Sequence, residues 1–191
     1  MDRRAFVIGG VATAGFALLG GAATAFAGPG DLLRPTGGQD EAAFVARCVK
    51  CDRCRSACPQ QCIQTASLED GLLAARTPKM NFHRGACDFC GKCVEVCPTQ
   101  ALVPFDPEVD KIGVAVVDEN RCLAVDGSCR VCSDVCPYEA ISFAAGGMPA
   151  VDPALCNGCG LCEYRCPSSV LRAYSATGKR GINIEKCEAR R

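Results

Sequence analysis

Sixteen of the 18 cysteines in this 191-residue chain fall into one repeated pattern. Three runs have the spacing Cys-x2-Cys-x2-Cys-x3-Cys-Pro and begin at Cys48, Cys87 and Cys156. A further run begins at Cys122 and is irregular, with six residues between its first two cysteines. In chain order these are runs one to four. Thiolates at this spacing are ligands of iron–sulfur clusters, so the pattern predicts iron–sulfur chemistry.

The spacing has a physical cause. Three thiolates two residues apart can surround part of one 4Fe–4S cubane from a tight loop, and the fourth points away to a neighbouring cluster. The proline after it suits the first turn of a helix, where no N–H is needed. This is the pattern of bacterial two-cluster ferredoxins, and four copies predict four 4Fe–4S clusters. The predicted cofactor and metal ligands are Cys48, Cys51, Cys54, Cys58, Cys87, Cys90, Cys93, Cys97, Cys122, Cys129, Cys132, Cys136, Cys156, Cys159, Cys162 and Cys166.

Other cysteine chemistries fit the spacing less well. Cysteines two residues apart are too close to form several independent disulfides, although an exported protein could carry them. Zinc ribbons use paired Cys-x2-Cys units rather than runs of four that end in Cys-Pro. Covalent haem needs Cys-x-x-Cys-His, and no cysteine here precedes a histidine.

The cysteines and the histidine outside the runs are expected to play lesser roles. Cys62, on the helix expected after Pro59, is predicted to be a small buried side chain. Cys187 is predicted to be exposed. His83, the one histidine of the sequence, is expected at the surface or as a hydrogen-bond donor near a cluster rather than as a ligand.

Short elements must hold the cysteine loops in place. Residues 101–105 and 112–118 are predicted to form one hairpin, and residues 140–143 and 148–152 a second one. Residues 68–79 are predicted to be a longer loop or helix, with residues 72–75 packed in the core. The aromatic content of 6% and the 20 glycines argue against a large side-chain core. The expected fold class is α+β, a duplicated two-cluster ferredoxin-like fold, rich in loops, with short helices and hairpins around four clusters.

The N-terminus has the character of an export signal. Arg3-Arg4-x-Phe6 is the core of a twin-arginine signal, and an uncharged stretch rich in Ala and Gly follows it. An ordinary secretory signal is the alternative, and the segment is either cleaved or kept as an anchor. The predicted domains are the signal at 1–27, an N-terminal segment at 28–46, the four-cluster domain at 47–175 and a tail at 176–191. Equal numbers of basic and acidic residues, 21 each, give no reason to propose a nucleic-acid partner.

The chain resembles the NapG/MauM family of periplasmic ferredoxin-type proteins. The shared features are the twin-arginine leader, the loop at 76–78, the approach to Cys122 at 112–121, and the irregular run three. The resemblance implies an electron carrier at the outer face of the cytoplasmic membrane. It would take electrons from a polytopic ferredoxin-type or quinol-oxidising membrane protein and pass them to a periplasmic reductase or cytochrome.

No catalytic residues are predicted. The sequence has no phosphate-binding glycine loop, no Ser/His/Asp set and no open metal site, so an electron carrier is favoured over an enzyme. Two other roles remain open: an electron-transfer subunit of a molybdopterin oxidoreductase, and a maturation factor for a metalloenzyme.

Two pairings of the runs satisfy the rule that each fourth cysteine serves a partner cluster. In the tandem arrangement, run one pairs with run two, and run three with run four. In the nested arrangement, run one pairs with run four and run two with run three. A more distant resemblance to the four-cluster subunits of molybdenum reductases implies nesting.

Overall fold

The computed structural model describes residues 32–126, 129–143, 147–168 and 179–187. The predicted export signal at 1–27 lies outside these residues. Among them, no helix is long and apolar enough to cross a membrane. The helices are α1 (Glu41–Arg47), α2 (Arg53–Ala57), α3 (Lys92–Glu95), α4 (Val131–Asp134) and α5 (Leu161–Arg165), with single 3-10 turns at Leu68–Asp70 and Leu123–Asp126. The strands are β1 (Ile63–Thr65), β2 (Pro78–Met80), β3 (Val114–Val117), β4 (Ile141–Phe143), β5 (Pro149–Val151) and β6 (Ile182–Glu185).

The strands form antiparallel pairs. β1 pairs with β2, and Ile63 lies opposite Met80. β4 pairs with β5, which confirms the second predicted hairpin. Each of these hairpins begins five residues after a Cys-Pro cysteine, Cys58 or Cys136, and ends shortly before the next run. The same order of loop, helix, hairpin, loop and helix therefore occurs twice along the chain.

The first predicted hairpin is wrong. β3 pairs with β6, with Ala115 opposite Ile184, and residues 101–105 form no strand. Ala101 and Leu102 instead pack against Phe44 of α1 in a small separate core. The partner of β3 comes from the segment predicted to be a C-terminal tail, where Ile182 and Ile184 are buried. A local pattern of apolar residues does not reveal a partner so distant in sequence.

The helices also differ from the prediction. Helices α2 to α5 each lie within a run, before the Cys-Pro pair, rather than after it, and α1 precedes run one. Cys58 and Cys166 end α2 and α5 with ψ of 110° and 121°. The ring of a proline disfavours the helical conformation of the residue before it, so the helix stops at this cysteine. Cys62 consequently lies just before β1 and not on a helix.

The main core is built around cysteines. It joins Cys62, Cys132, Cys156 and Cys162 to a few apolar side chains, among them Ile63, Met80, Phe82, Ile112, Ile141 and Ile182. Elements of three to seven residues bury little apolar surface on their own. The cysteine sites must therefore contribute much of what holds the fold together.

The expectation that residues 72–75 pack in the core holds only in part. Ala74 and Ala75 are buried, but Leu72 and Leu73 are 56% and 60% exposed. Of the aromatic residues near the runs, Phe89 and Phe143 pack against the main core. Tyr138 and Tyr164 are exposed and do not shield it.

Arg34 fastens the N-terminal segment to the domain. Its guanidinium is buried, pairs with Glu41 at 2.7 and 2.5 Å, and donates to the Pro78 carbonyl at 2.8 Å. It also lies over the Phe44 ring, 4.7 Å from the centroid. Residues 32–47 are therefore part of the fold, and nothing in the sequence singled out Arg34 as their anchor.

Candidate iron–sulfur cluster sites

The three-cysteine loop of run one faces a cavity that a cysteine of run two completes. Cys48, Cys51 and Cys54 line this cavity together with Cys97. Phe44 of α1 forms part of the same wall. Four thiols from two runs thus surround one space.

The second cavity is the reciprocal of the first. Cys87, Cys90 and Cys93 of run two line it with Cys58 of run one. Helices α2 and α3, which carry Cys54 and Cys93, pack against each other. Cys62, which belongs to no run, also lines the second cavity.

Runs three and four form the same reciprocal pair. Cys122, Cys129 and Cys132 line a cavity with Cys166 of run four. In the fourth group, burial raises the pKa of Cys159, and the nearby charges of Cys136 and Cys156 raise it further. Cys136 of run three is therefore close to Cys159 of run four.

These groupings decide between the two arrangements of the runs. The Cys-Pro cysteines Cys97 and Cys166 serve runs one and three respectively. Pairing is tandem, and the nested arrangement is wrong for this chain. The physical reason is that α2 packs against α3, and α4 against α5, which carries each Cys-Pro cysteine to the adjacent run.

The four groups also contact one another in a definite order. Besides burial, the charge of Cys93 raises the pKa of Cys54, which links groups one and two. The backbone N–H of Cys87 donates to the carbonyl of Cys159 at 2.8 Å, which links groups two and four. Burial, and after it charges that include Cys132, raise the pKa of Cys162, which links groups four and three. The spatial order is one, two, four, three.

The loops share an unusual backbone conformation. Positions on either side of the central cysteine have positive φ in three of the runs, and they are Lys50, Asp52, Phe89, Gly91, Gly158 and Gly160. Glycine adopts this conformation without strain, whereas the Cβ of other residues makes it unfavourable. The conformation turns the chain around the cavity. No sequence signal singled out Lys50, Asp52 and Phe89 for this role.

Two of these glycines provide a matched test. Both Gly91→Ala and Gly160→Ala introduce a methyl group at positive φ, which costs about 1–2 kcal/mol. A Cβ at Gly91 meets nothing within 4 Å, whereas one at Gly160 lies 2.0 Å from the buried Phe82 ring. We expect Gly160→Ala to lower the free energy of unfolding by a further ~1–3 kcal/mol. Anaerobic denaturant unfolding of both loaded variants measures this, and equal losses would contradict it.

The electrostatics of the sites couple cluster binding to protons. Burial raises the pKa of Cys54 to about 12 and that of Cys132 to about 11. Without iron these thiols therefore hold their protons at neutral pH. Thiolate is the form that binds metal, so loading releases protons and is favoured by higher pH.

The donor set suits a multinuclear cluster. A single zinc ion would draw four sulfurs to about 2.3 Å from one point. In the part of the chain that the structure describes, no three His, Cys, Asp or Glu side chains converge in that way. In the three groups that line a cavity, four thiols from two runs instead surround one shared space. Backbone N–H groups and hydroxyls reach the sulfurs as well: Thr36 Oγ1 lies 3.4 Å from Cys93 Sγ, and Ala115 N donates to Cys156 Sγ at 3.4 Å.

The remaining predicted residues lie as expected. Cys62 is buried and Cys187 is exposed, which confirms both predictions. His83 Nε2 lies 3.4 Å from Glu163 Oε1 and not in a cysteine group. Sequence reasoning missed Glu163, a buried carboxylate that accepts a hydrogen bond from Ile184 N at 2.6 Å. This bond ties α5 to β6, and no sequence signal pointed to it.

Comparison with known proteins identifies the family. The sequence matches the 4Fe-4S dicluster domain in three overlapping stretches, residues 47–101, 86–140 and 127–170. The chain belongs to the 4Fe-4S dicluster domain family. It is therefore a ferredoxin-type iron–sulfur protein that transfers electrons, and its short helices and antiparallel sheets fit a loop-rich ferredoxin-like fold.

Two curated proteins share part of the sequence. The ferredoxin-type protein NapG of Escherichia coli (strain K12) is 44% identical over 70 residues, which is 37% of this chain and 29% of that protein. The ferredoxin-type protein NapG of Shigella flexneri matches to the same extent. The match thus spans less than a third of the length of these relatives.

Proposed function

We propose that the chain is a periplasmic NapG-type carrier that moves electrons through four 4Fe–4S clusters. The observation that carries this proposal is the division of the sixteen predicted ligands into four reciprocal groups in contact. Each group supplies four thiols, the number that a 4Fe–4S cluster takes. The fold would thus be a duplicated two-cluster ferredoxin. A bound cluster supplies the reversible one-electron chemistry, and the chain's residues hold and shield it.

The order of the groups indicates a path with two ends. Electrons would pass through groups one, two, four and three, so groups one and three are the terminal sites. At group one, Cys51 is exposed and lines an open depression with Arg53 and Cys97. At group three, Val125 is 59% exposed beside the loop. These two surfaces are where the donor and the acceptor would dock.

Metal content tests the number of clusters. We expect about sixteen iron and about sixteen acid-labile sulfide per chain after anaerobic purification, because four groups of four thiols each hold one cubane. Iron and sulfide assays against quantitative amino-acid analysis measure this. Zinc in place of iron, or a fully loaded protein with about half this iron, would contradict four clusters.

The proposed location rests on the partial similarity to NapG and on the Arg3-Arg4 pair. We expect the double variant Arg3→Lys, Arg4→Lys to stay in the cytoplasm, because a receptor that reads the planar guanidinium pair discriminates against lysine. Cell fractionation with immunoblotting measures this. The control is Asp2→Asn, which changes a neighbouring charge but leaves the pair intact. A double-lysine variant that still reaches the periplasm with its clusters would contradict the twin-arginine route.

The partners we propose are a quinol-oxidising or polytopic ferredoxin-type membrane protein and a periplasmic reductase or cytochrome. Anaerobic affinity purification from solubilised membranes tests them. Co-purification of a quinol-oxidising membrane protein supports the proposal. Stoichiometric recovery of a large molybdopterin subunit would instead indicate a subunit of that enzyme.

A further inference from the structure

The second cavity contains one thiol more than a cluster needs. Its walls include Cys58, Cys87, Cys90 and Cys93, and also Cys62. Cys62 is only 1% exposed, and its Sγ lies 3.6 Å from Cys58 Sγ. Cys62 therefore contacts one predicted ligand of the cluster, Cys58, and shares a cavity with the other three, while belonging to no run itself.

The internal repeats show that packing alone does not require this sulfur. Cys62 is the fourth residue after the Cys-Pro cysteine Cys58. The same position in runs two and three is occupied by Ala101 and Ala140, which are 5% and 2% exposed. A buried alanine fills this place at two other Cys-Pro turns. The thiol of Cys62 is thus a chemical addition specific to group two.

The chemistry of a fifth thiol follows from the number of ligands, because a 4Fe–4S cluster takes four cysteine thiolates. Four thiolates complete a 4Fe–4S cluster, so the remaining cysteine keeps its proton and acts as a weak S–H donor. Its proton can be directed at the sulfur of Cys58, 3.6 Å away. A hydrogen bond to a ligand sulfur favours the more negative, reduced state of the cluster and so raises its reduction potential.

We propose that Cys62 is a non-ligating thiol that raises the reduction potential of the cluster held by Cys58, Cys87, Cys90 and Cys93. This inference rests on the proposed presence of a cluster in group two. Because that group lies between groups one and four, the effect would be to set the potential of an inner step of the electron path. Cys62 is a positioning and tuning residue and does not bind iron.

Three variants of the full-length, cluster-loaded protein test the proposal. Cys62→Ala removes the donor and leaves the residue found at the two equivalent positions, so the fold should be retained. Cys62→Ser keeps a donor in the same place. Thr99→Val is the matched control, because Thr99 Oγ1 lies 3.9 Å from Cys97 Sγ in group one and does not reach group two. The readouts are iron and sulfide content and a redox titration followed by electron paramagnetic resonance.

We expect Cys62→Ala to keep the full iron and sulfide content and to shift one of the potentials downward. Cys62→Ser should hold that potential at or above the wild-type value, and Thr99→Val should leave it unchanged. Unchanged potentials in Cys62→Ala would overturn the proposal, and so would loss of iron from one cluster, since that would make Cys62 a ligand. If the wild-type protein itself lacks a fourth cluster's iron, the proposed function fails instead, and the metal assay shows this before any variant is made.

Discussion

Removing the clusters is expected to unfold the domain. The main core joins buried cysteines to a small set of apolar side chains, and the strands that flank it are three or four residues long. Two-stranded sheets of this length are not stable in water without further support. Metal binding in such small domains is coupled to folding, so the free energy of cluster binding is part of the free energy of folding.

The experiment uses a chelator together with an oxidant to strip the intact protein anaerobically. We expect the apo-protein to lose its cooperative melting transition and most of its native far-UV circular dichroism. Chelator alone is the control, because a buried cluster should resist it over the same time. Reconstitution with iron, sulfide and a thiol reductant should restore the transition. An apo-protein that keeps a cooperative melt and native dichroism would contradict the idea that clusters hold the fold.

Spacing along the chain was enough to predict the candidate ligands and one hairpin. The three-cysteine loops are local features, and so is the pairing of β4 with β5, which are neighbours along the chain. Sequence-based reasoning failed where partners are distant in the chain. The pairing of β3 with β6 joins Val117 to Ile182, and no local pattern specifies that contact.

Buried polar residues were equally hard to predict. An arginine is expected at the surface from its residue type, yet the side chain of Arg34 is buried between Glu41, Thr77 and Phe44. Glu163 lies beside a predicted ligand, and its carboxylate holds β6 in place. Each is stable only because the fold supplies hydrogen-bond partners from other segments. Those partners cannot be read from residue type.

The pairing of the runs was a point on which the sequence alone left two answers open. Both arrangements use the same sixteen cysteines, so metal content alone does not separate them. Tandem pairing places Cys97 with Cys51, whereas nested pairing places Cys166 with Cys51. The structure places Cys51 and Cys97 around one cavity.

Paired substitutions turn this difference into a count of iron. Serine is a harder and poorer ligand than cysteine for a cluster, so Cys51→Ser and Cys97→Ser should each impair one cluster. Two substitutions at ligands of one cluster should lose little more iron than either substitution alone. Substitutions at ligands of different clusters should give iron losses that add. We therefore expect the double variant Cys51→Ser, Cys97→Ser to lose one cluster and keep about twelve iron per chain.

The matched control is the double variant Cys51→Ser, Cys166→Ser, which damages groups one and three. We expect it to lose two clusters and keep about eight iron. Iron and sulfide assays on folded protein measure both, with spin quantitation of the reduced clusters as an independent count. If the Cys51→Ser, Cys166→Ser variant loses one cluster while the Cys51→Ser, Cys97→Ser variant loses two, the runs are nested. In the tandem case the order is one, two, four, three, and the electron path then runs through the Cys87–Cys159 contact, where the two pairs of runs meet.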